Sequence, residues 1–476
     1  MNRKALEGMR TSHKQPLDDP AWAWKPFEPS AAQPWDVQSV AHLHRRGGFA
    51  VPWTVLDRDR REGPEAAIGR LLNGEEKSPD GTPAAEIEST FDAMSAQLGP
   101  SADLARIQSI WLYRMIFTPH PLRERMALFW HNHFATSNAK VQNPGLMLRQ
   151  NTLLRSHALG DFGAMLLAIG RDPAMLIWLD STINKKVKPN ENYAREIMEL
   201  FTLGRGHYTE KDIQEAARAF TGWFVVRDEF QEVPRQHDDG VKTVLNRRGA
   251  WDGDDIPGIL LEQPACADFI CRKLFRHFVS DTERPTDALI APLAQAFRES
   301  HYQIQVLVAT ILRSNLFFDP RMRRRRVKSP VEFAVGTIRA LEIVNPTVQS
   351  GALAEACGRM GQSLFAPPSV AGWDGGPGWI NSTAMLARAN LALGLLSDQN
   401  EALGQRCNPW ALADRYGRGR RESLAGFFID LLAAGALEPD ARLQIEKAAT
   451  NKSISDDAAS REVVRLILTA PEYQLA

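Results

Sequence analysis

A mainly α fold, a large multi-helix body with one small inserted β-hairpin near residues 223–249, is predicted by three features of the sequence. Apolar residues recur at three- and four-residue spacing along most of the chain, the spacing that lines one face of an α-helix. Hydrophobic residues make up 44% of the 476 positions and charged residues 24%, enough apolar material for a large core. Strand-like composition is confined to one stretch between Trp223 and Gly249.

Taken in order, residues 1–35 are rich in Pro, Trp and charge and read as an N-terminal arm. Residues 36–476 read as a single large helical domain. Within it, Ala84–Leu98, Ala102–Phe117 and Leu122–Phe134 carry helical stripes, with Ile107, Ile110, Trp111 and Met115 along one of them. The pattern returns in Cys266–Val279, Ala288–Phe297, Val331–Ile343, Met385–Leu396, Leu424–Leu432, Ala441–Ala449 and Ser460–Thr469. The segments FVVRDEFQEV and VKTVLNRR flank Asp238-Asp239-Gly240, which reads as the turn of the hairpin. Gly372–Trp379, rich in Gly with two tryptophans, reads as a rigid turn following Pro367-Pro368.

Fifty-seven basic residues balance 57 acidic ones, so no general field for nucleic acid exists and none is expected as a partner. Arg321–Lys328 (RMRRRRVK) and Arg415–Arg421 are local basic runs, read as solvated faces, with a phosphate grip as the alternative. Four scattered cysteines, Cys266, Cys271, Cys357 and Cys407, form neither a disulfide framework nor a zinc motif. No run is apolar and long enough to span a bilayer. No signal peptide is visible before residue 30, and the twin Arg45-Arg46 is followed too soon by Asp57–Arg61, so as written the chain reads as cytoplasmic.

The densest polar segment is Pro189–Gly206, PNENYAREIMELFTLGRG. Wound at about 100° per residue, it places Glu191, Asn192, Arg195, Glu196 and Glu199 on one arc and Tyr193, Ile197, Leu200 and Phe201 on the other. A second helix follows at once, with Thr209 and Asp212 as a capping pair and Ile213, Ala216, Ala217 and Phe220 as its apolar stripe. Such a pair of helices either holds Glu191, Arg195, Glu196 and Glu199 in a cleft, suited to acid–base work and anion binding, or laces a structural network through i, i+4 ion pairs. Asn190, Asn192 and Lys242 are the accompanying candidate binding residues.

His131, His133, His237 and Asp238 are candidate ligands for a divalent metal, with His157, Asp180 and His207 as further donors. On a continuous helix an i, i+2 pair points about 200° apart, so His131 and His133 meet at one ion only if the helix stops between them. No HExxH, phosphate-loop, dinucleotide or GxSxG pattern is present.

Eight blocks carry a resemblance: FWHNHFATS, DPAMLIWLD, NENYAREIMELFTLGRGHYTEKDIQEAARAFTGW, HDDGVKT, KLFRHFVSD, KSPVEFAVGTIRAL, GQSLFAPPSVAGWDGGPGWIN and LTAPEYQLA. In this order they resemble the bacterial family called domain of unknown function 1800, over roughly residues 40–476. The resemblance implies a mostly helical protein, often exported and often encoded beside a sulfatase-like partner; it assigns no catalytic residue.

Two functional readings follow. In the first, the chain is an enzyme performing hydrolysis or group transfer on a polar substrate, with Glu196 or Glu191 as base, Arg195 on an anionic group, and histidines binding metal or shuttling protons. In the second, it is a non-catalytic helical scaffold for the sulfatase-like partner. The enzyme reading requires residues 131, 133, 191, 195, 196 and 237 to converge on one open pocket.

Overall fold

A computed structural model describes residues 17–98, 103–344, 347–397, 403–404, 406–435 and 437–476. Helices dominate, and the anticipated stripes become Ala84–Ala96, Leu104–Phe117, Pro121–His133, Pro264–Phe278, Asp287–Glu299, Pro330–Ala340, Ser382–Leu396, Arg421–Ala433, Pro439–Thr450 and Asp456–Thr469. Their starts obey local chemistry. Asp103 accepts from the amide of Arg106, Thr286 from Leu289, and Ser329 closes a capping box with Glu332 behind Pro330. No helix among the described residues is long and apolar enough to cross a membrane.

Two apolar cores organise the chain. One gathers side chains from 162–176, 193–223, 256–279 and 289–322; the other gathers 107–117, 331–365 and the C-terminal helices. Two helices lie between them and are buried on both faces. Pro121–His133 sends Leu122, Met126 and Trp130 into the first core and Ala127 and Leu128 into the second. Val37–Gly47 likewise sends Leu43 one way and Val40 and Ala41 the other. A helix enclosed this way has no outward face for its polar residues, so those of the FWHNH block must bond within the protein or line a cleft.

The β element near 223–249 is two antiparallel hairpins in succession. Trp223–Val226 pairs with Glu229–Glu232, and Lys242–Val244 pairs with Arg247–Gly249. Each turns through two residues of positive φ, Arg227 and Asp228 (52° and 64°) then Leu245 and Asn246 (47° and 65°), as a tight turn matched to strand twist requires. Asp238-Asp239-Gly240 is therefore not the hairpin turn expected from the sequence. It connects the hairpins, with Asp238 Oδ1 accepting from the Gly240 amide at 2.9 Å.

The basic run 321–328 is not a solvated face. Arg326 and Lys328 are buried, the C-terminal residues pair along the run through Lys328 N to Gln474 O and Ala476 N to Arg326 O (both 2.8 Å), and the Lys328 ammonium lies 3.5 Å from the Tyr473 ring centroid. Arg46 of the twin arginine is also interior, its guanidinium donating to the carbonyls of Phe278, Val279 and Met322.

Candidate functional site

A cleft of about 330 Å³ opens beside the enclosed helix Pro121–His133. Its walls are Phe129, Asn132 and His133 from that helix, Lys273, Arg276 and His277 from Pro264–Phe278, Ser329 and Glu332 from the start of Pro330–Ala340, and the loop around Trp373–Trp379. Four of the eight sequence blocks thus meet around one space. In Pro264–Phe278 the apolar Ile270, Cys271, Leu274, Phe275 and Phe278 are buried. Lys273, Arg276 and His277, at i, i+3 and i+4, form the opposite stripe and face the cleft.

Lys273 is held by two acceptors. Its Nζ donates to the Leu200 carbonyl at 3.2 Å and to Nδ1 of His133 at 3.0 Å. His133 in turn donates from Nε2 to the Phe201 carbonyl at 3.0 Å, which fixes its tautomer with the lone pair on Nδ1. Both carbonyls belong to a π-helical turn, Ile197–Thr202, that continues the α-helix Asn192–Glu196 and closes with the Leu203 amide on the Met198 carbonyl at 2.8 Å. They are last-turn carbonyls, free to accept from outside the helix. Burial, with Arg276 adding to it, pushes Lys273 down to about 8, and burial followed by Lys273 holds the His133 imidazole neutral, well below its ordinary range.

The opposite wall is clasped by Asn132, whose Oδ1 accepts from the Trp373 amide at 2.7 Å while its Nδ2 donates to the Trp373 carbonyl at 3.3 Å. Gly372 makes this approach feasible: its φ is +80°, and a Cβ there would collide with Asn132. In the cleft wall, Glu332 binds Arg125 and, at 3.0 Å, Arg326, and it also accepts from the Ser329 amide at 3.1 Å. Burial raises this carboxyl, but the two guanidiniums outweigh that and hold it down to about 2. Nη1 of Arg326 and Oδ1 of Asp281 are shielded from solvent without a hydrogen-bond partner, and both residues line the cleft.

The residues singled out from the sequence do not converge. Of 131, 133, 191, 195, 196 and 237, His133 alone lines this cleft. Arg195 bridges Glu191 at 3.2 Å and Glu210 at 2.7 Å in a partly exposed chain. Glu199 takes Arg205 at 2.6 Å and Tyr208 at 2.7 Å; the hydrogen bonds from Tyr208 and Arg205 hold it below the usual carboxylate range. Glu196 makes neither pair, and burial together with Glu199 raises it. Asn190 and Asn192 organise a turn around Asp180, with Asn192 Nδ2 at 3.3 Å from its carboxylate. Lys242 is fully buried and ties the hairpins together through the carbonyls of Asp238 and Trp251.

The four candidate metal ligands are likewise apart. The helix runs through His133, so the two histidines diverge. His131 Nε2 accepts from the Phe365 amide at 3.1 Å among the rings of Trp111, Phe365 and Trp373, and burial pushes it down to about 3. His133 gives its one lone pair to Lys273. Asp238 is engaged by Arg218 at 2.7 and 3.1 Å, and His237 donates from Nδ1 to the Thr221 carbonyl at 2.9 Å. No group of three or more His, Cys, Asp or Glu side chains is placed to hold an ion among the described residues.

Sequence reasoning passed over Lys273, Arg276, His277, Arg326 and Glu332. The available signal was the polar i, i+3, i+4 stripe inside KLFRHF. No curated protein and no solved structure matches the chain. A family model described as a protein of unknown function, DUF1800, matches residues 42–475, nearly the whole length and every block that lines the cleft. The chain therefore belongs to the DUF1800 family.

Proposed function

We propose that the protein is an enzyme acting by hydrolysis or group transfer on a small polar anion, with the Lys273 cleft as its active site. The observation that carries this reading is Lys273 itself: an amine near the threshold of ionisation at neutral pH, fixed by two acceptors, on the wall of a cleft. Such an amine can take a proton from an attacking hydroxyl or water and return it to a leaving group. Arg276, exposed at the rim and donating to the Asp374 carbonyl at 2.9 Å, would fix the negative group of the substrate.

The test is a screen of carboxylate, phosphate and sulfate esters for turnover and thermal stabilisation, repeated on Lys273→Met and Arg276→Gln. Turnover abolished by the first, with affinity lowered by the second, is the expected result. Full turnover in both variants overturns the assignment.

A second reading, a scaffold for a sulfatase-like protein encoded nearby, is favoured by one feature. Leu386 and Leu393, seven residues apart on Ser382–Leu396, are 64% and 46% exposed on the same helix face, next to the exposed Ile380. Co-purification with that gene product, lost in Leu386→Asp, supports it; no complex at mild ionic strength overturns it.

A further inference from the structure

We infer that Lys273 is an amine nucleophile that forms an imine with carbonyl-bearing anions in this cleft, because Leu200 and His133 take two of its bonding directions and leave the third for the cleft. The inference rests on the cleft being the anion site proposed above and gives Lys273 a covalent role in place of the general-base one, on an aldehyde or ketone carrying a carboxylate or phosphate.

The geometry is that of a presented lone pair. A neutral amine has two N–H donors and one lone pair, and two acceptors are in place: the Leu200 carbonyl at 3.2 Å and His133 Nδ1 at 3.0 Å. His133 cannot reverse its role, since its own N–H is committed to the Phe201 carbonyl. With both amine hydrogens so directed, the lone pair occupies the remaining tetrahedral position. Phe269 flanks the amine, with its ring centroid 4.8 Å from Nζ, and burial together with Arg276 supplies the bias towards the neutral form. Arg276, three residues along the same helix face, lines the same cleft and acts on Lys273 electrostatically, and would receive the anionic substituent of the carbonyl compound. A desolvated lysine beside a second cation is a recognised route to a nucleophilic amine.

In the reaction the Nζ lone pair forms a bond to the carbonyl carbon and the carbonyl π pair moves to oxygen. Nitrogen then gives one proton to His133 Nδ1. The oxygen takes that proton and one from solvent and departs as water, leaving a protonated imine. Amine, carbonyl compound and one proton thus become iminium and water, with no change in oxidation state.

The probe is pyridoxal 5′-phosphate, an anionic aldehyde, added to the full-length protein and followed by borohydride reduction and peptide mapping. At pH 7 the adduct is expected on Lys273 at a rate more than about tenfold above any other lysine, reflecting its larger free-amine fraction. Inorganic phosphate should slow the labelling. Lys273→Arg, which keeps a cation at this position but has no amine able to form an imine, should lose the adduct while its melting temperature still rises with phosphate. Phosphate that stabilises the wild type but not Arg276→Gln, with labelling spread evenly over the lysines, overturns the imine and leaves the cleft standing as an anion site. Neither stabilisation nor selective labelling overturns both.

Discussion

Two polar regions of the molecule differ in where their charges find partners. On the helix pair 192–219, Arg195 meets Glu191 four residues away and Glu210 across a short turn, and Glu199 meets Arg205 and Tyr208 close by. Around the cleft, Lys273 meets His133 across 140 residues of chain, and Arg125 and Arg326 approach the same Glu332 from different elements. Locally partnered, partly exposed charges gain little and need nothing from the fold. Charges assembled by tertiary structure are desolvated, so each is costly unless bonded, and their positions are correspondingly exact in their demands on neighbouring residues. The denser polar sequence is thus the more locally partnered of the two.

That contrast can be broken or sharpened in a graded way. The largest effect is expected for Glu332→Ala, which leaves the guanidiniums of Arg125 and Arg326 buried without their shared anion; a loss of about 3–5 kcal/mol in urea unfolding is the range for breaking a buried pair. Next comes Gly372→Ala. Its positive φ and the collision with Asn132 should cost more than about 1 kcal/mol and separate the tryptophan loop from the cleft, read as a change in intrinsic fluorescence.

Lys273→Met has a sign as well as a size. The folded amine ionises near 8, below its unfolded value, so the wild-type protein is penalised while the amine is charged and gains stability as pH rises from about 8 towards 10.4. The variant should lose that rise and be relatively more stable below pH 8, as thermal melts across pH 6–10 would show. The smallest effect is expected for Arg195→Ala, at most about 1 kcal/mol for a partly exposed ion pair, with anion-dependent stabilisation unchanged. A loss of that stabilisation in Arg195→Ala would move the site back to the helix pair.

The fold was legible because its signals are local. Periodic Ile107, Ile110, Trp111 and Met115 mark a buried stripe, and Thr209 with Asp212 marks a capped helix start; both are present, the latter as a complete capping box. The hairpin stretch was recognisable by composition, but its division into two was hidden, because Arg227-Asp228 and Leu245-Asn246 are not the glycine-rich turns that usually announce positive φ. The site was less legible for a related reason. Nothing local in RMRRRRVK tells that the C-terminal residues cover it, and nothing in IMELFT announces a π turn whose carbonyls reach His133 and Lys273. His133 was singled out as a metal ligand; its tautomer, set by Phe201, makes it an acceptor for an amine instead.

The π turn at Ile197–Thr202 also bears on how this segment tolerates changes in length. A π turn is an α-helix carrying one surplus residue, so deleting a single position there would yield a regular and locally more comfortable helix. The widened turn would close and its carbonyls would return to the regular i, i+4 pattern. The carbonyls of Leu200 and Phe201 would swing off Lys273 and His133, and a shortened chain could keep its helix content and its melting profile while its amine lost its orientation. At this spot, residue count is itself the specification.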